Sequence, residues 1–389
     1  QTVFLDRDKY WERRKDMFLA IRELKYSKWR FAMIGMILIL ISWLVFILSG
    51  LGNGLSTLSA ATFKNLDVQY VVFEDGARHS MSRSVISENL VEDLKAFDGV
   101  EDAAPMGSHV AVVLKEGLED DSEKIDVSIL GIEPGSFVEP PIIEGNSLSK
   151  DGGFKAVVNS TLKDHGIEIG DILEIESSTE TLEVIGFVEG ESFNHLPAIF
   201  ITADDWRTIH FAAPGSDMGT ELPVNAIMLQ GEEIDPEKIE KEFDGLDVAT
   251  KREAINGIPG YTAENGTIMM MLGFLLVISA FVIGVFFYVV TLQKANQFGV
   301  MKAIGANNMY LTKAIISQIT LLAIGGIGFG IALTYLTAMI LPDGMPFALD
   351  PTLVITYAIT LLIVSILSSL VSVRRITKID PLIAIGRVD

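Results

Sequence analysis

Side chains that can bind a metal centre are concentrated just before and at the start of one long uncharged stretch of the sequence. Tyr261 and Glu264 carry oxygen donors, which suit hard cations. Met269, Met270 and Met271 carry thioether sulfur, which suits softer ions. Both kinds of donor stand close together in the chain, and this grouping makes the segment a candidate ligand-binding site.

The relative placement of these donors depends on where the helix that carries them begins. If it begins near Thr262, Tyr261 and Glu264 share a face, and Met271 lies two turns beyond Glu264 on nearly the same side. His195, in the segment ESFNHLP, is a further candidate ligand. A purely structural explanation stays open for each residue type: an interfacial anchor for the tyrosine, solvated side chains for the glutamate and histidine, and packing for the methionines.

The stretch that follows these donors, from Thr267 to Leu292, has no charged residue over 26 positions. At about 1.5 Å of rise per residue, a helix of this length spans ~39 Å, which exceeds the ~30 Å hydrocarbon core of a bilayer. Three other uncharged stretches accompany it, at 31–51, 314–341 and 352–373. We therefore predict four transmembrane helices.

Charge is distributed unevenly along the chain. Residues 53–265 contain 14 Lys and Arg against 42 Asp and Glu, whereas the rest of the chain contains 16 against 9. Because Lys and Arg next to membrane spans stay on the cytoplasmic side while large acidic domains cross, residues 53–265 are expected outside, with both termini cytoplasmic. The chain has no cysteine, so disulfides and thiolate metal sites are excluded, and it offers no basic surface for nucleic acid.

The long acidic segment shows the alternation typical of strands, with helical patterns between them. Strands are predicted at 69–74, 109–115, 125–132, 171–177 and 181–189. Helices are predicted at 84–99, with Ser87 as N-cap and Gly99 as stop, and at 236–245, with Pro236 in the first turn. The predicted fold class is a membrane α-helical protein with four transmembrane helices and one large extracytoplasmic α+β domain between the first and second spans.

Three features outside that domain bear on packing. After Gly50 the segment GLGNGLSTLSAATF can continue the first helix or form a loosened exit from the membrane. Gly326 and Gly330 have GxxxG spacing, which allows close helix approach and favours packing inside the subunit over dimerisation. Residues 1–16 are expected to be a charged tail without the apolar core of a signal peptide, and 17–29 either an amphipathic helix or an extension of the first span.

These observations divide the chain into nine segments. They are a cytoplasmic tail with an amphipathic helix (1–30), transmembrane helix 1 (31–52), the extracytoplasmic α+β domain (53–265), transmembrane helix 2 (266–292), a cytoplasmic elbow (293–313), transmembrane helix 3 (314–341), an outer loop (342–351), transmembrane helix 4 (352–373) and a cytoplasmic tail (374–389).

Several motifs carry a resemblance that extends from Met17 to Gly386. They are GNSLSKDGGFKAVVNSTLKDHGIEIGDILEIES, FITADDW at 200–206, QKANQFGVMKAIGA after the second span and IDPLIAIG near the end. With the order of one span, a large domain and three spans, the chain resembles permease subunits of the macrolide-exporter type of ABC system, which include the FtsX-like proteins. YTAENGTIMMM, FFYVVTLQK, YVVFE and PDGMPF are most similar to heme-exporter permeases of the HrtB type.

The resemblance implies a bacterial cell-membrane protein that works as a homodimer with a separate ABC ATPase. It implies that the elbow contacts the ATPase, and the expected coupling residues are Gln293, Gly299, Val300, Met301, Lys302, Ile304 and Gly305. It also implies a substrate role for heme, with Tyr261 and Glu264 as ligands and no permanently bound cofactor. The three methionines and His195 are further candidate ligands by their chemistry. The sequence itself contains no Walker-type phosphate loop, so ATP is expected on the partner chain.

Two classes of function stay open at this point. One is an exporter that removes an amphipathic molecule from the membrane, with heme as the expected substrate and a lipid or peptide antibiotic as a variant. The other is an FtsX-like transmitter that relays cytoplasmic ATP hydrolysis to an extracytoplasmic partner without moving a solute. Catalysis by this chain is not expected, because no Ser/His/Asp order, no HExxH motif and no paired carboxylates in an apolar segment stand out.

Overall fold

The computed structural model describes residues 28–117, 124–150, 153–176, 178–293, 295–342 and 345–376. The expectations for the two tails therefore lie almost entirely outside the described residues. The chain forms two compact units. The first, here called the membrane unit, comprises the residues through Gly54 and those from Thr267 onward, and the second, the α+β unit, runs from Leu55 to Gly266.

The described residues form nine helices and thirteen strands. The helices are α1 (Lys28–Asn65), α2 (Leu90–Lys95), α3 (Ala203–His210), α4 (Pro236–Glu242), α5 (Lys251–Gly257), α6 (Tyr261–Gln293), α7 (Ala295–Ala303), α8 (Asn308–Ala338) and α9 (Pro351–Ile376). The strands are β1 (Tyr70–Glu74), β2 (Ile86–Ser87), β3 (Asp102–Lys115), β4 (Ile125–Ile132), β5 (Ile142–Gly145), β6 (Lys155–Asn159), β7 (Ile172–Ile175), β8 (Thr181–Val188), β9 (Ser192–Phe193), β10 (Leu196–Thr202), β11 (Pro223–Val224), β12 (Ala226–Gln230) and β13 (Leu246–Thr250).

Four of these helices, α1, α6, α8 and α9, are long and apolar enough to cross a bilayer. In the sequence, the strands and the short helices α2 to α5 all come between the first and second of these four helices. The predicted fold class is therefore confirmed. The open question after Gly50 is also answered, because α1 continues without interruption to a kink at Ala60 and ends at Asn65.

Glycines let the helices of the membrane unit approach closely. A Cβ at Gly326 would lie 2.7 Å from Cβ of Leu38, and one at Gly330 would lie 2.0 Å from Oγ of Ser42. The Ser42 hydroxyl also donates to the Gly326 carbonyl at 3.2 Å. Both glycines of the GxxxG pair thus face α1 of the same chain, which confirms the expectation of packing inside the subunit.

The glycines that follow in α1 have a second role. A Cβ at Gly54 would lie 2.2 Å from the Pro346 carbonyl oxygen, and one at Gly50 would lie 2.5 Å from the Phe347 ring. The Ala348 amide donates to the Gly50 carbonyl at 3.1 Å. The glycine-rich sequence therefore makes a smooth helical surface on which the connection between α8 and α9 packs.

The α+β unit contains an 11-stranded mixed sheet. Its main order is β13-β1-β12-β3-β4-β10-β6-β8-β5, with β7 paired to β3 and β8 and β9 paired to β10. The pairs β4–β10 and β6–β8 are parallel, and the other pairs are antiparallel. Strands β2 and β11 form a separate two-stranded sheet. All five strands predicted from alternation are present.

The predicted helix over 84–99 is partly wrong. Its first residues form β2, in which Ser87 pairs with Pro223, and the helix begins only at Leu90 after Asn89. A short strand pairing with a distant segment overrides the local helical pattern here. The expected stop is also misplaced, because the helix ends at Lys95 and Gly99 stands four residues further on, in the turn that follows. There it has φ of +89° and no room for a Cβ beside the Glu233 carbonyl. Helix α4 begins at Pro236 as predicted and ends at Glu242.

Candidate functional site

The kink in α1 is stabilised by the tip of the β9–β10 hairpin. Ala60 has φ −144° and ψ 21°, values that interrupt the helical hydrogen-bond ladder. The amides of Asn194 and His195 donate to the freed carbonyls of Ser59 at 2.9 Å and Leu58 at 3.2 Å. Both tip residues have positive φ, as a two-residue turn of this type requires. The hairpin thus replaces hydrogen bonds that the kink removes.

This docking places the His195 imidazole beside two oxygen-bearing side chains. Its Nε2 lies 3.0 Å from Oγ of Ser59 and 3.3 Å from Oε2 of Glu264. Because the Ser59 hydroxyl donates to the Leu55 carbonyl at 2.9 Å, the serine oxygen accepts from the imidazole N–H. The side chains of His195 and Glu264 are 38% and 27% exposed, so a ligand can reach the carboxylate without unfolding of the site.

A second polar set surrounds Tyr261, the first residue of α6. The Tyr261 hydroxyl lies 2.9 Å from Oγ of Ser56, and Nζ of Lys64 donates to the same serine oxygen at 2.7 Å. Lys64 also donates to the Ser56 carbonyl at 2.9 Å, four residues before the kink. The tyrosine ring is buried, and its oxygen is thereby held next to a cation.

The end of α1 is capped by a cation from α5. Nζ of Lys251 donates to the carbonyl of Lys64 in the last turn of the helix at 3.1 Å and to that of Leu66, just past its end, at 2.6 Å. Burial lowers the pKa of Lys251, partly offset by Asp67. A surface depression beside this cap is lined by Lys251, Arg252, Asn256, Tyr261 and Asn265. Two cations therefore border the tyrosine of the candidate site.

The structure brings together only part of the predicted ligand set. Tyr261, Glu264 and His195 lie in one polar cluster of the α+β unit with Ser56, Ser59 and Lys64, and this group of six is called the polar cluster below. Met269, Met270 and Met271 belong to the membrane unit, and their side chains are exposed by 55%, 57% and 42%. Among the described residues, no three His, Asp or Glu side chains are placed to hold a metal ion.

The two serines and the lysine of the polar cluster were missed in the sequence. Ser56 contacts a residue 205 positions away and Ser59 one 136 positions away, so no local pattern connects them. One signal was available: Lys64 is the only charged residue between positions 31 and 65. A single cation at the end of a long apolar stretch indicates a partner or a boundary.

The elbow after α6 is a short helix and a tight turn. Phe298 of α7 is buried against Leu311 and Ile315 of α8, and half-buried Met301 packs against the same cluster. The Ala306 amide donates to the Met301 carbonyl at 2.9 Å and the Gly305 amide to the Lys302 carbonyl at 3.0 Å. With Gly305 at φ +98°, these two bonds form a Schellman motif that ends α7.

The expected coupling residues differ in accessibility. Ile304 and Val300 are 81% and 51% exposed and present an apolar surface. Met301 is half-buried and is also part of the packing that holds the elbow. The other positions are Gln293 and Gly305, which are exposed, Lys302, which is half-buried, and Gly299, which is buried.

Comparisons with known proteins match most of the chain. Residues 31–246 match the MacB-like periplasmic core domain, and residues 269–381 match the FtsX-like permease C-terminal family. The putative hemin transport system permease protein HrtB of Staphylococcus haemolyticus is 24% identical over 373 residues, 96% of this chain and 100% of that protein. HrtB of Staphylococcus epidermidis ATCC 12228 is 26% identical over 370 residues, 95% and 99% of the two chains.

Other matches are more general. An uncharacterised ABC transporter permease of Mycobacterium tuberculosis is 23% identical over 374 residues, 95% of this chain and 99% of that one. The extracellular domain of the ABC-type transporter YknZ matches with a TM-score of 0.34 at 13% identity, covering 46% of this chain and 98% of that chain. The periplasmic region of MacB from Actinobacillus actinomycetemcomitans matches with a TM-score of 0.36 at 12% identity, covering 49% and 92%.

Proposed function

The chain belongs to the family of FtsX-like permeases with a MacB-like periplasmic core domain, and we propose that within this family it exports heme. It is a multi-pass permease subunit of an ABC transporter, and the family implies an ATPase on a partner chain. The finer proposal is that two copies of the permease, with both termini cytoplasmic, remove heme from the outer leaflet by means of ATP hydrolysed by that partner.

The observation that carries the proposal is the polar cluster at the start of α6. Tyr261 and Glu264 offer a phenolic and a carboxylate oxygen, which are suitable axial ligands for ferric iron. Glu264 is partly exposed, and its contact with His195 is long, at 3.3 Å. A metal ion can therefore take the place of the histidine at the carboxylate. The site thus has an accessible oxygen donor at the head of a membrane-length helix.

The surroundings suit the other needs of a porphyrin. Heme carries two propionates, and the cations Lys251 and Arg252 line the depression next to Tyr261. The Met269–Met271 triplet offers exposed apolar and thioether surface in the following turns of α6. Two relatives of nearly full coverage carry the name of a hemin transport system permease, which also supports heme as the substrate.

The test is hemin titration of the purified chain, followed by absorption in the Soret region. Glu264→Ala and Tyr261→Phe are each expected to weaken ferric heme binding at least tenfold, because each removes one oxygen donor while the phenylalanine preserves the buried ring. Glu237→Ala is the matched control, since this glutamate is exposed on α4. Cells that express each variant are then scored for growth in hemin.

The proposal fails if the double variant Tyr261→Phe/Glu264→Ala, with normal folding and normal stimulation of its ATPase, binds hemin and protects cells like the parent. Absence of hemin binding by the parent would favour the FtsX-like transmitter instead, in which the α+β unit acts on an extracytoplasmic partner. Binding of a lipid or peptide antibiotic in place of hemin would keep the export mechanism and change the substrate.

A further inference from the structure

A second group of histidines lies in the α+β unit outside the polar cluster. His109, in the middle of β3, and His210, the last residue of α3, have their Nδ1 atoms 2.9 Å apart. The two ring centroids are 4.9 Å apart, with 59° between the ring planes. Both side chains are half-buried and line a cavity of about 300 Å³. Nothing in the proposed export mechanism uses this pair.

The pair is held in place by the packing of Trp206. Its indole is fully buried against β3 and β4, where a Cβ at Gly107 would lie 2.3 Å from the ring and one at Gly131 would lie 2.4 Å from the tryptophan Cβ. The two glycines therefore let α3 lie unusually close to the sheet. His210 is one helical turn after Trp206 and stacks on the indole at 4.9 Å and 20°, which brings its ring to His109.

The contact between the two rings requires that at least one imidazole is neutral, since two protonated rings have no acceptor to offer each other. In the Nδ1–Nδ1 contact one ring must donate and the other must accept through its lone pair. Neutral imidazole with an available lone pair is the form of histidine that binds metal ions.

The spacing of the two nitrogens matches the geometry of a metal centre. Two nitrogens that each lie ~2.05 Å from one ion at a right angle are about 2.9 Å apart. Neighbouring ligands in square-planar or tetragonal coordination have this separation, whereas ideal tetrahedral ligands are about 3.3 Å apart. An ion bound by both nitrogens would replace the shared proton, with each ring turned so that its lone pair points at the ion and not at the other nitrogen.

The cavity leaves room for the remaining ligands and limits their type. Hydroxyls of Ser80, Ser82 and Ser108 line it, and no carboxylate is among the described lining residues. His79 also lines it, although its Nε2 is engaged by Asp247 at 3.1 Å. A site of two imidazoles, hydroxyls and water favours borderline ions over Mg²⁺, Ca²⁺ or Mn²⁺, which prefer oxygen ligands.

We propose that His109 and His210 form an exchangeable binding site for a tetragonal transition-metal cation, Cu(II) or Ni(II), within this cavity of the α+β unit. The two imidazoles occupy neighbouring coordination positions, and water or a donor atom of a second molecule completes the shell. The site is separate from hemin binding at the polar cluster and does not depend on it.

The test uses the full chain, purified without a polyhistidine tag, treated with chelator and titrated with CuCl₂ alone. Electron paramagnetic resonance is expected to show one tightly bound Cu(II) per chain with hyperfine coupling to two imidazole nitrogens. His109→Asn and His210→Asn should each lose one nitrogen and raise the dissociation constant at least tenfold, a cost of about 1.4 kcal/mol. His165→Asn is the matched control, because this histidine is exposed on another turn.

Two results would overturn the site. One is a parent protein whose bound Cu(II) shows no imidazole coupling, which needs no variant and is independent of any folding defect. The other is a folded His109→Asn/His210→Asn double variant with the parent's signal and affinity. Loss of signal in His165→Asn alone would assign the copper to that surface histidine and would equally refute the proposal.

Discussion

Nε2 of His195 lies 3.3 Å from Oε2 of Glu264, so a hairpin tip of the sheet and the first turn of α6 share one polar contact. The histidine is also fixed by Ser59 and by its own backbone amide on Leu58. Glu264 has no other hydrogen-bond partner within the polar cluster as the structure describes it. The contact therefore links the Glu264 carboxylate to the hairpin tip.

His195→Ala tests whether His195 is only a partner of Glu264 or is itself a heme ligand. If the carboxylate binds ferric iron, removal of the histidine frees it, and hemin affinity is expected to stay within threefold of the parent. Glu264→Ala should lose at least tenfold by the same assay. Soret titration of both variants makes the comparison. A loss in His195→Ala as large as that in Glu264→Ala would instead make the histidine the ligand.

Gly330→Ala is expected to destabilise the membrane unit by about 1–3 kcal/mol, because the new Cβ meets Ser42 at 2.0 Å and the Trp43 amide nitrogen at 3.1 Å. Gly328→Ala is the matched control on the same helix, where nothing lies within 4 Å of the added carbon. It should be neutral or stabilising by about 0.5–1 kcal/mol. Thermal unfolding in detergent measures both, and equal midpoints would contradict the packing of α8 on α1.

Ile304→Asp tests the elbow more cleanly than a change at Met301, because Ile304 is 81% exposed and a charge there leaves the core intact. A charge buried in an apolar contact with the ATPase should reduce ATP-dependent hemin efflux at least tenfold while hemin affinity is unchanged. Ile143→Asp, at a half-exposed position of β5, is the control. Normal efflux by Ile304→Asp would remove this residue from the contact surface.

Gly305 gives a backbone version of the same test. A residue with a Cβ at φ +98° is strained, so Gly305→Ala should cost about 1–2 kcal/mol locally and loosen the Schellman turn. Gly305→Asn should be milder, since asparagine visits left-handed conformations more readily. Efflux and unfolding midpoints are expected to follow the order parent, Asn, Ala. Identical behaviour of the two variants would show that the turn is not under this constraint.

The capping box that Thr250 and Glu253 form at the start of α5 predicts that the stability of the fold depends on pH. A hydrogen bond from the Thr250 hydroxyl, with one from its amide, holds the pKa of Glu253 below its usual range. Because the folded pKa is the lower one, this stabilisation is present above the unfolded pKa of ~4.3 and is lost as pH falls through the folded pKa. Stability should therefore decline on acidification below about pH 5.

Thr250→Ala should cost about 1 kcal/mol at pH 7, and the difference from the parent should shrink at pH 3. Unfolding by denaturant at the two pH values provides the measurement. Glu237→Gln serves as control, because this exposed glutamate makes only an i,i+4 pair with Lys241. A difference in stability that stays constant with pH would show that the cap does not depend on the ionisation of Glu253.

The elements that could be predicted from sequence are those with a strong one-dimensional pattern. Uncharged stretches longer than the bilayer is thick have few alternatives to a membrane helix, and strand alternation identified β1, β4 and β8. The two-residue strand at Ile86 could not be predicted, since only its pairing with Val224 makes it a strand. The start of α2 was misplaced for the same reason.

The candidate site was only half predictable. Tyr261 and Glu264 stand at the head of an apolar run, and their residue types suggest ligand chemistry from sequence alone. The partners of the polar cluster, Ser56 and Ser59, lie on another helix. The kink that exposes backbone carbonyls to the hairpin occurs without a proline, so the sequence does not predict it. Contacts of this kind depend on tertiary structure and have no local signature.

The kink at Ala60 gives the hairpin tip an unusual property. Amides at the tip of a two-residue turn ordinarily face solvent and exchange their hydrogens rapidly. Here the amides of Asn194 and His195 are both donated to carbonyls of α1. Their deuterium uptake therefore reports on the helix rather than on the turn. Any motion that straightens α1 must break both bonds. The hydrogen-exchange rate of these two amides would therefore measure how often the bent helix straightens.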